Sequence, residues 1–339
     1  MATTVLLVHG IGSHKKGSMK SAFIASVNDT VKNHFKLNYD IGQDQCLKIE
    51  EFNYSQDFDA ARRKMAEAVQ IGNSSGLDLL DGVSVNLIDE IIEFLSDVDK
   101  EGFLYEYFLD IIIYGSTHKG PETRTKLKHK VNQLVNEQGK LVIVTHSMGT
   151  AVVHDSLNSL YTQNPGLNTV KGLITFANVS RMIPIVSGLP DPSEGCVHMD
   201  LEKGGCIRDL FINSYNNLDP ITFFKPFHKT HTYDVQHIEQ KIQKVVNPHS
   251  FAQYAAHPKF VTEFLNNFGC GPDIDYEDDL PTAMSSYKQG SISHRFDNVK
   301  EKLDELTDND ANLKEFITFV KEVSKTYKEL KKLSDEINL

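Results

Sequence analysis

Leu141-Val142-Ile143-Val144-Thr145-His146-Ser147-Met148-Gly149-Thr150, followed by Ala151-Val152-Val153, is the stretch that decides the architecture. Leu141–Val144 is a short, unbroken apolar run rich in β-branched residues, the pattern of a strand buried on both faces of a parallel sheet. Small residues follow Ser147 immediately, so a helix is expected to start there. That places the serine on a sharp strand-to-helix turn, where the backbone is strained and the hydroxyl stands clear. The turn brings the residues two before and two after the serine together, which calls for small side chains. Gly149 meets that need, whereas Thr145 is branched and is expected to crowd the turn.

On either side of this stretch, apolar runs alternate with amphipathic ones. Strands are predicted at Thr3–Val8, Leu47–Tyr54, Leu141–Thr145, Gly172–Ala177, Leu210–Tyr215 and, more weakly marked, Thr232–Val235. Helices are predicted at Ser18–Phe35, Asp57–Ile71, Thr123–Asn136 and Thr150–Tyr161, each with apolar residues three and four apart. The alternation describes an α/β fold, a mostly parallel sheet flanked by helices. Two regions break it. Residues 77–114 are unusually apolar and read either as a helical cap over a pocket or as core helices. Arg181–Gly205 is a long segment with Pro and Gly, of a length that is commonly functional.

Beyond Asp273–Asp279 and Pro281 the pattern changes. Ile292, Phe296, Val299, Leu303 and Leu306 alternate steps of four and three, and the phase continues to Ile337. Thr307-Asp308-Asn309-Asp310 interrupts it, so 281–339 is expected to be a C-terminal helical hairpin beside a catalytic body at 1–280. Its apolar stripe needs a partner. The candidates are the body, a homodimer contact through the C-terminal helices, or the mouth of the active site.

The 339 residues are 40% apolar and 24% charged, ordinary for a globular chain, which excludes wholesale disorder and fibrous repeats. Thirty-five basic against 46 acidic residues leave a net charge of −11, which argues against a nucleic-acid partner. No apolar run is long enough for a transmembrane segment, and Val5–Val8 is too short for a signal peptide, so a cytoplasmic location is expected. Cys46, Cys196, Cys206 and Cys270 form no CxxC pair and are expected to be reduced thiols, with a Cys196–Cys206 bridge conceivable only after export.

At the first strand's end, Val8-His9-Gly10-Ile11-Gly12 makes a turn able to aim a backbone N–H, that of Ile11, toward the serine. With the N–H of Met148 it would form an oxyanion hole, and one such donor is typically worth about 3–4 kcal/mol in the transition state. His9, Gly10 and His146 are expected beside the site in structural roles. The two segments together resemble the α/β-hydrolase superfamily, specifically its lipase and serine-esterase branch, over about residues 1–270. With its first strand at residue 3, the chain would be a reduced form of that fold, without the early antiparallel strands.

The resemblance implies a nucleophile–acid–histidine order. Ser147 is then the nucleophile, Asp219, just past a strand in Asn217-Leu218-Asp219-Pro220, the acid, and His249, in Asn247-Pro248-His249-Ser250, the histidine. Asp191, Asp209 and Asp234 compete for the acid's role, and Asp219 could instead cap a turn before Pro220. His231, His237 and His257 compete for the histidine's. The implied activity is cofactor-free cleavage of a small-molecule or lipid ester through an acyl-enzyme. The same triad also serves thioesterases, amidases and acyltransferases. A non-catalytic hydrolase-fold protein working through its heptad hairpin is the alternative of another class. His228, His231 and His237 lack a carboxylate or Cys at a telling distance, so no metal site is expected, and no phosphate loop or dinucleotide motif appears.

Overall fold

The computed structural model describes residues 2–12, 14–71, 103–187, 189–217, 219–222, 225–229, 234–240 and 249–288. Among the described residues six strands make one sheet: β1 (Thr3–Val8), β2 (Leu47–Phe52), β3 (Leu141–His146), β4 (Val170–Phe176), β5 (Ile207–Asn216) and β6 (Gln236–Gln240). Their order is β2-β1-β3-β4-β5-β6, and every neighbouring pair is parallel. Side chains alternate between the faces. Leu6, Val8, Leu141, Ile143, Leu173 and Phe211 enter one apolar cluster, while Val5, Leu7, Val142, Val144, Ile174 and Ile212 enter the other. Both faces are covered, so these strands read as continuous apolar runs.

One face carries α1 (Ser18–Asn33), α7 (Phe251–Ala255) and α8 (Pro258–Phe268). The stripe Phe260, Val261, Phe264, Leu265 and Phe268 along α8 packs against Phe23 and Phe176. The other face carries α2 (Ser55–Ile71), α3 (Phe103–Ser116), α4 (Lys119–Gln138), α5 (Met148–Gln163) and the short α6 (Ile183–Ser187). From β1 the chain steps outward to β2, then crosses back to β3 and proceeds to the opposite edge. β1 and β3 are therefore the switch point of the sheet, with Val8 beside Thr145. Loops leave these two strands in diverging directions, and the crevice between them is where open α/β sheets bind ligands.

Several expectations change. The last strand lies at Gln236–Gln240, beyond the expected Thr232–Val235. As an edge strand it buries only Ile238 and Gln240, so it lacks an apolar run to mark it. Of the stretch 77–114, read as a cap or as core helices, residues 77–102 fall outside the described ones. Leu109, Ile111, Ile112, Ile113 and Tyr114 of α3 are core residues under α2 and α4.

The boundary expected at 281 falls inside α9 (Asp279–Lys288), whose Pro281 sits in the first turn, where its missing N–H costs nothing. Ala283 and Tyr287 of α9 are buried, and the His34 ring meets both Ser286 and Tyr287. The heptad seam of 292–337 lies outside the described residues. Among the described residues no helix is long and apolar enough to cross a membrane.

Two of the four cysteines also depart from expectation. Cys46 and Cys270 are joined as a disulfide across 224 residues, while Cys196 and Cys206 are free. Spacing in the chain could not reveal a pair that forms only when the end of α8 reaches the turn before β2.

Candidate active site

β3 delivers Ser147 to the switch point with φ +55° and ψ −129°, a conformation that costs about 1–3 kcal/mol and survives only where its surroundings enforce it. They do so here. The Ser147 N–H donates to Phe176 O at 2.9 Å, extending the β3–β4 ladder, and the Thr150 hydroxyl donates to Ser147 O at 2.6 Å. A Cβ on Gly149 would fall 2.3 Å from His9 O and 2.8 Å from Thr145 Oγ1. The crowding expected from Thr145 is thus absorbed by the bare glycine across the turn.

Ser147 occupies the N-cap position of α5, yet its hydroxyl makes no capping bond. It lies 2.7 Å from His249 Nε2. The opposite nitrogen, His249 Nδ1, is 2.7 Å from Asp219 Oδ2. A carboxylate oxygen only accepts, so the proton sits on Nδ1, and Nε2 presents its lone pair to the serine O–H. Asp219 is fully buried, and its oxygens are shared out. Oδ2 also accepts from the Tyr254 hydroxyl at 3.0 Å, and Oδ1 accepts from the Ile221 N–H at 3.1 Å. Asp219 thus caps the turn at Pro220–Thr222 with one oxygen and meets His249 with the other. In chain order the three residues follow β3, β5 and β6.

The competitors stand elsewhere. Asp191 caps a turn and pairs with Arg181, Asp209 pairs with Arg208 at the surface, and Asp234 is exposed. His257 is buried against Tyr287, and His237 faces Asn213. His231 lies outside the described residues. His228 stacks on Tyr215, with 6.4 Å between its ring centre and that of His237. Among the described residues one group of metal-type donors gathers, Asp44 with Cys46 and Cys270, but the two sulfurs bond each other. The Asp44 carboxylate accepts from the Tyr39 hydroxyl and from the N–H groups of Cys46 and Cys270.

The loop after β1 closes the other side. A Cβ on Gly10 would fall 2.8 Å from Ser147 Cβ, so only glycine allows β1 and β3 to approach this closely. Tyr54 Oη donates toward His9 O at 2.9 Å and Gly10 O at 3.1 Å. His9 accepts from the Tyr54 N–H at Nε2 (3.0 Å), which leaves its proton on Nδ1, donated to Gly10 O at 2.7 Å. His14 Nε2 donates to Ile11 O at 2.7 Å. Burial lowers His9 to about 3, so it remains a neutral strut. Burial, with His249 nearby, likewise takes His146 well below the ordinary histidine value, and its Nε2–H holds His249 O at 2.9 Å.

Three neighbours had no motif to announce them. Tyr54 and Tyr254 are fully buried and bond to site residues. The third is an ion pair. Arg62 Nε and Nη2 meet Asp110 Oδ1 and Oδ2 at 2.6 and 2.9 Å, and both partners also reach Gly12. They come from separate helices 48 residues apart, a relation that only packing creates.

A cavity of about 250 Å³ lies beside the loop, lined by His9, Gly10, His14, Ser18, Met19, Ala22, His146 and Phe251. Among the described residues that line it, none is a carboxylate, Lys or Arg. A larger, more polar hollow of about 370 Å³ lies between α4, α5 and the loop after α6, on residues distinct from those around Ser147. The smaller one adjoins Gly10 and His146, which flank Ser147. Comparison of the chain with protein-family models, with curated proteins and with solved structures returns no match.

Proposed function

We propose that this chain is a serine hydrolase of the α/β-hydrolase type, cleaving carboxylic esters through an acyl-enzyme. The observation that carries the reading is the unbroken line Asp219–His249–Ser147, two contacts of 2.7 Å ending on a serine held at φ +55°. His249 Nε2 would take the Ser147 proton as Oγ attacks the ester carbonyl. Asp219 would hold the tautomer and stabilise the imidazolium. The negative oxygen of the tetrahedral intermediate would rest against two amides. Met148 is the first residue of α5, where N–H groups lack intrahelical partners and the helix dipole is positive. Ile11 supplies the second. Its peptide with Gly10 is trans, and Gly10 O is turned to Tyr54, so the Ile11 N–H points the opposite way. His249 would then protonate the leaving alkoxide, and water would repeat the sequence on the acyl-serine.

The strand order and the placement of the three residues after β3, β5 and β6 support the fold assignment. The small cavity, with no carboxylate, Lys or Arg among its described lining residues, favours a small acyl or alcohol group. Labelling with a fluorophosphonate probe, alongside hydrolysis of nitrophenyl butyrate, tests the reading. Wild type should react in both assays and Ser147→Ala in neither, with the fold of the variant intact by circular dichroism. Equal turnover by the two proteins would remove Ser147 as nucleophile.

A further inference from the structure

We propose that Arg62 and Asp110 are positioning residues that keep the Ile11 amide aimed at the reacting oxygen, an inference that rests on the hydrolase reading above. Ile11 stands between two glycines, and Gly12 has φ +83°, so the segment carrying the expected donor is built from the most pliant backbone available. A flip of the Gly10–Ile11 peptide would turn the N–H toward Tyr54 and empty half of the hole.

The structure opposes such motion on the far side of Ile11. Asp110 Oδ2 accepts the Gly12 N–H at 2.9 Å, and Arg62 Nη2 donates toward Gly12 O at 3.2 Å, so one buried pair grips both polar groups of the same residue. Ser55 Oγ adds a longer contact to the same carbonyl at 3.3 Å. The pair is itself locked, because Arg62 offers Nε and Nη2 side by side to the two oxygens of Asp110 and its Nη1 to Asp59 at 2.6 Å. Asp110 is 1% exposed.

A buried ion pair is a poor source of stability, since apolar residues of similar size often serve as well or better. What apolar residues cannot do is hold an N–H and a C=O at once. That capacity, applied to the glycine next to the expected donor, is what the pair supplies. Lysine would not replace Arg62, since an ammonium lacks the flat fork that spans Asp110 and Gly12 together.

Removing one partner leaves a buried charge and endangers the fold, so the informative variant is the double Arg62→Met/Asp110→Leu, with Arg62→Lys beside it. Nitrophenyl butyrate hydrolysis, melting temperature and inhibition by phenylboronic acid, which forms a tetrahedral adduct on serine, are measured for each. The double variant should lose about 100-fold in kcat and a similar factor in boronate affinity, the scale of one oxyanion donor. KM should stay within about threefold, and the pH dependence of kcat should be unchanged, because the His249 line is untouched. Arg62→Lys should lose about tenfold. Unchanged kcat and boronate affinity in a folded double variant would overturn the proposal. So would a loss of kcat that merely follows a loss of folded protein. Both outcomes leave the hydrolase reading standing, whereas a wild type without Ser147-dependent turnover removes that reading and this inference with it.

Discussion

Asp219 and Asp110 are both sealed from solvent at the same end of the sheet, yet one faces an imidazole and the other a guanidinium. An imidazole has two nitrogens, so a proton held on the side of Asp219 leaves a basic lone pair on the side of Ser147. The line can move a proton without moving atoms far. A guanidinium keeps its protons at any pH a protein survives, so Asp110 and Arg62 can only hold what they touch. Burial pushes Asp110 upward, and Arg62 and the Gly12 N–H oppose that shift. Equal burial of the same side chain thus suits one carboxylate to the proposed transfer line and the other to the proposed brace, and the partner decides which.

The sharpest break of this comparison is to remove the transfer line. Asp219→Asn and His249→Ala should each lower kcat by about 10⁴-fold, with folding retained, because the members act as a unit. That is two orders of magnitude beyond the effect expected at the clamp. A mild His249→Ala combined with a damaging His257→Ala in the nitrophenyl ester assay would reassign the base.

His257 extends the contrast to histidines, because burial lowers it to about 3 while it has no place in the line. His9, His146 and His257 all titrate lower when folded than when unfolded. The unfolded chain then binds more protons below about pH 6.5, so stability is full above that value and falls as pH drops toward 3. His257→Phe keeps a ring against Tyr287 and removes one of these protons. Its melting temperature should match wild type at pH 7.5, and it should be more stable than wild type by about 2 kcal/mol at pH 5. Parallel curves for the two proteins between pH 7.5 and 4.5 would show that His257 does not contribute.

A third test uses the two sides of the loop after β1. The clamp grips Gly12 from α2 and α3, whereas the small cavity beside Gly10 lies toward α1. Ala22→Phe should fill part of that cavity and lower kcat/KM for nitrophenyl butyrate about tenfold relative to acetate, the usual scale for lost methylene contacts. Acetate turnover should stay near wild type. An unchanged acetate-to-butyrate ratio would place the acyl chain elsewhere.

Much of this arrangement was legible in the residues because local pattern and function coincide there. Val5–Val8 and Leu141–Val144 are apolar on both faces, and the abrupt change to small residues after Ser147 reports the turn directly. Asp219 and His249 needed chain order as well, since nothing within five residues of either separates it from its rivals. Gln236–Gln240 was missed because an edge strand has one covered side at most. Tyr54, Arg62, Asp110 and Tyr254 were illegible for another reason. Each is a common residue inside a helix or at its entry, and its role arises only from a partner 30 to 50 residues away. Thr145 looked like a misfit when read alone and fits when Gly149 is placed opposite it.

Tyr254 offers the finest test, because its hydroxyl shares Oδ2 of Asp219 with His249. Burial and the neighbouring carboxylate push the phenol well above its ordinary value, so it remains a donor wherever the protein is folded. Its ring lies against Phe176 with centres 5.8 Å apart, and Tyr254→Phe preserves that packing while deleting one hydrogen bond. Asp219 would keep His249 on the same oxygen and the Ile221 N–H on the other, so the carboxylate stays in place with less support. The loss expected for one such bond is about 1 kcal/mol, which is about fivefold in kcat at unchanged KM. No change at all would mean that the Ile221 amide and His249 orient Asp219 by themselves. A loss beyond a hundredfold would put the Tyr254 hydroxyl within the transfer line, and the division between line and brace would have to be redrawn around it.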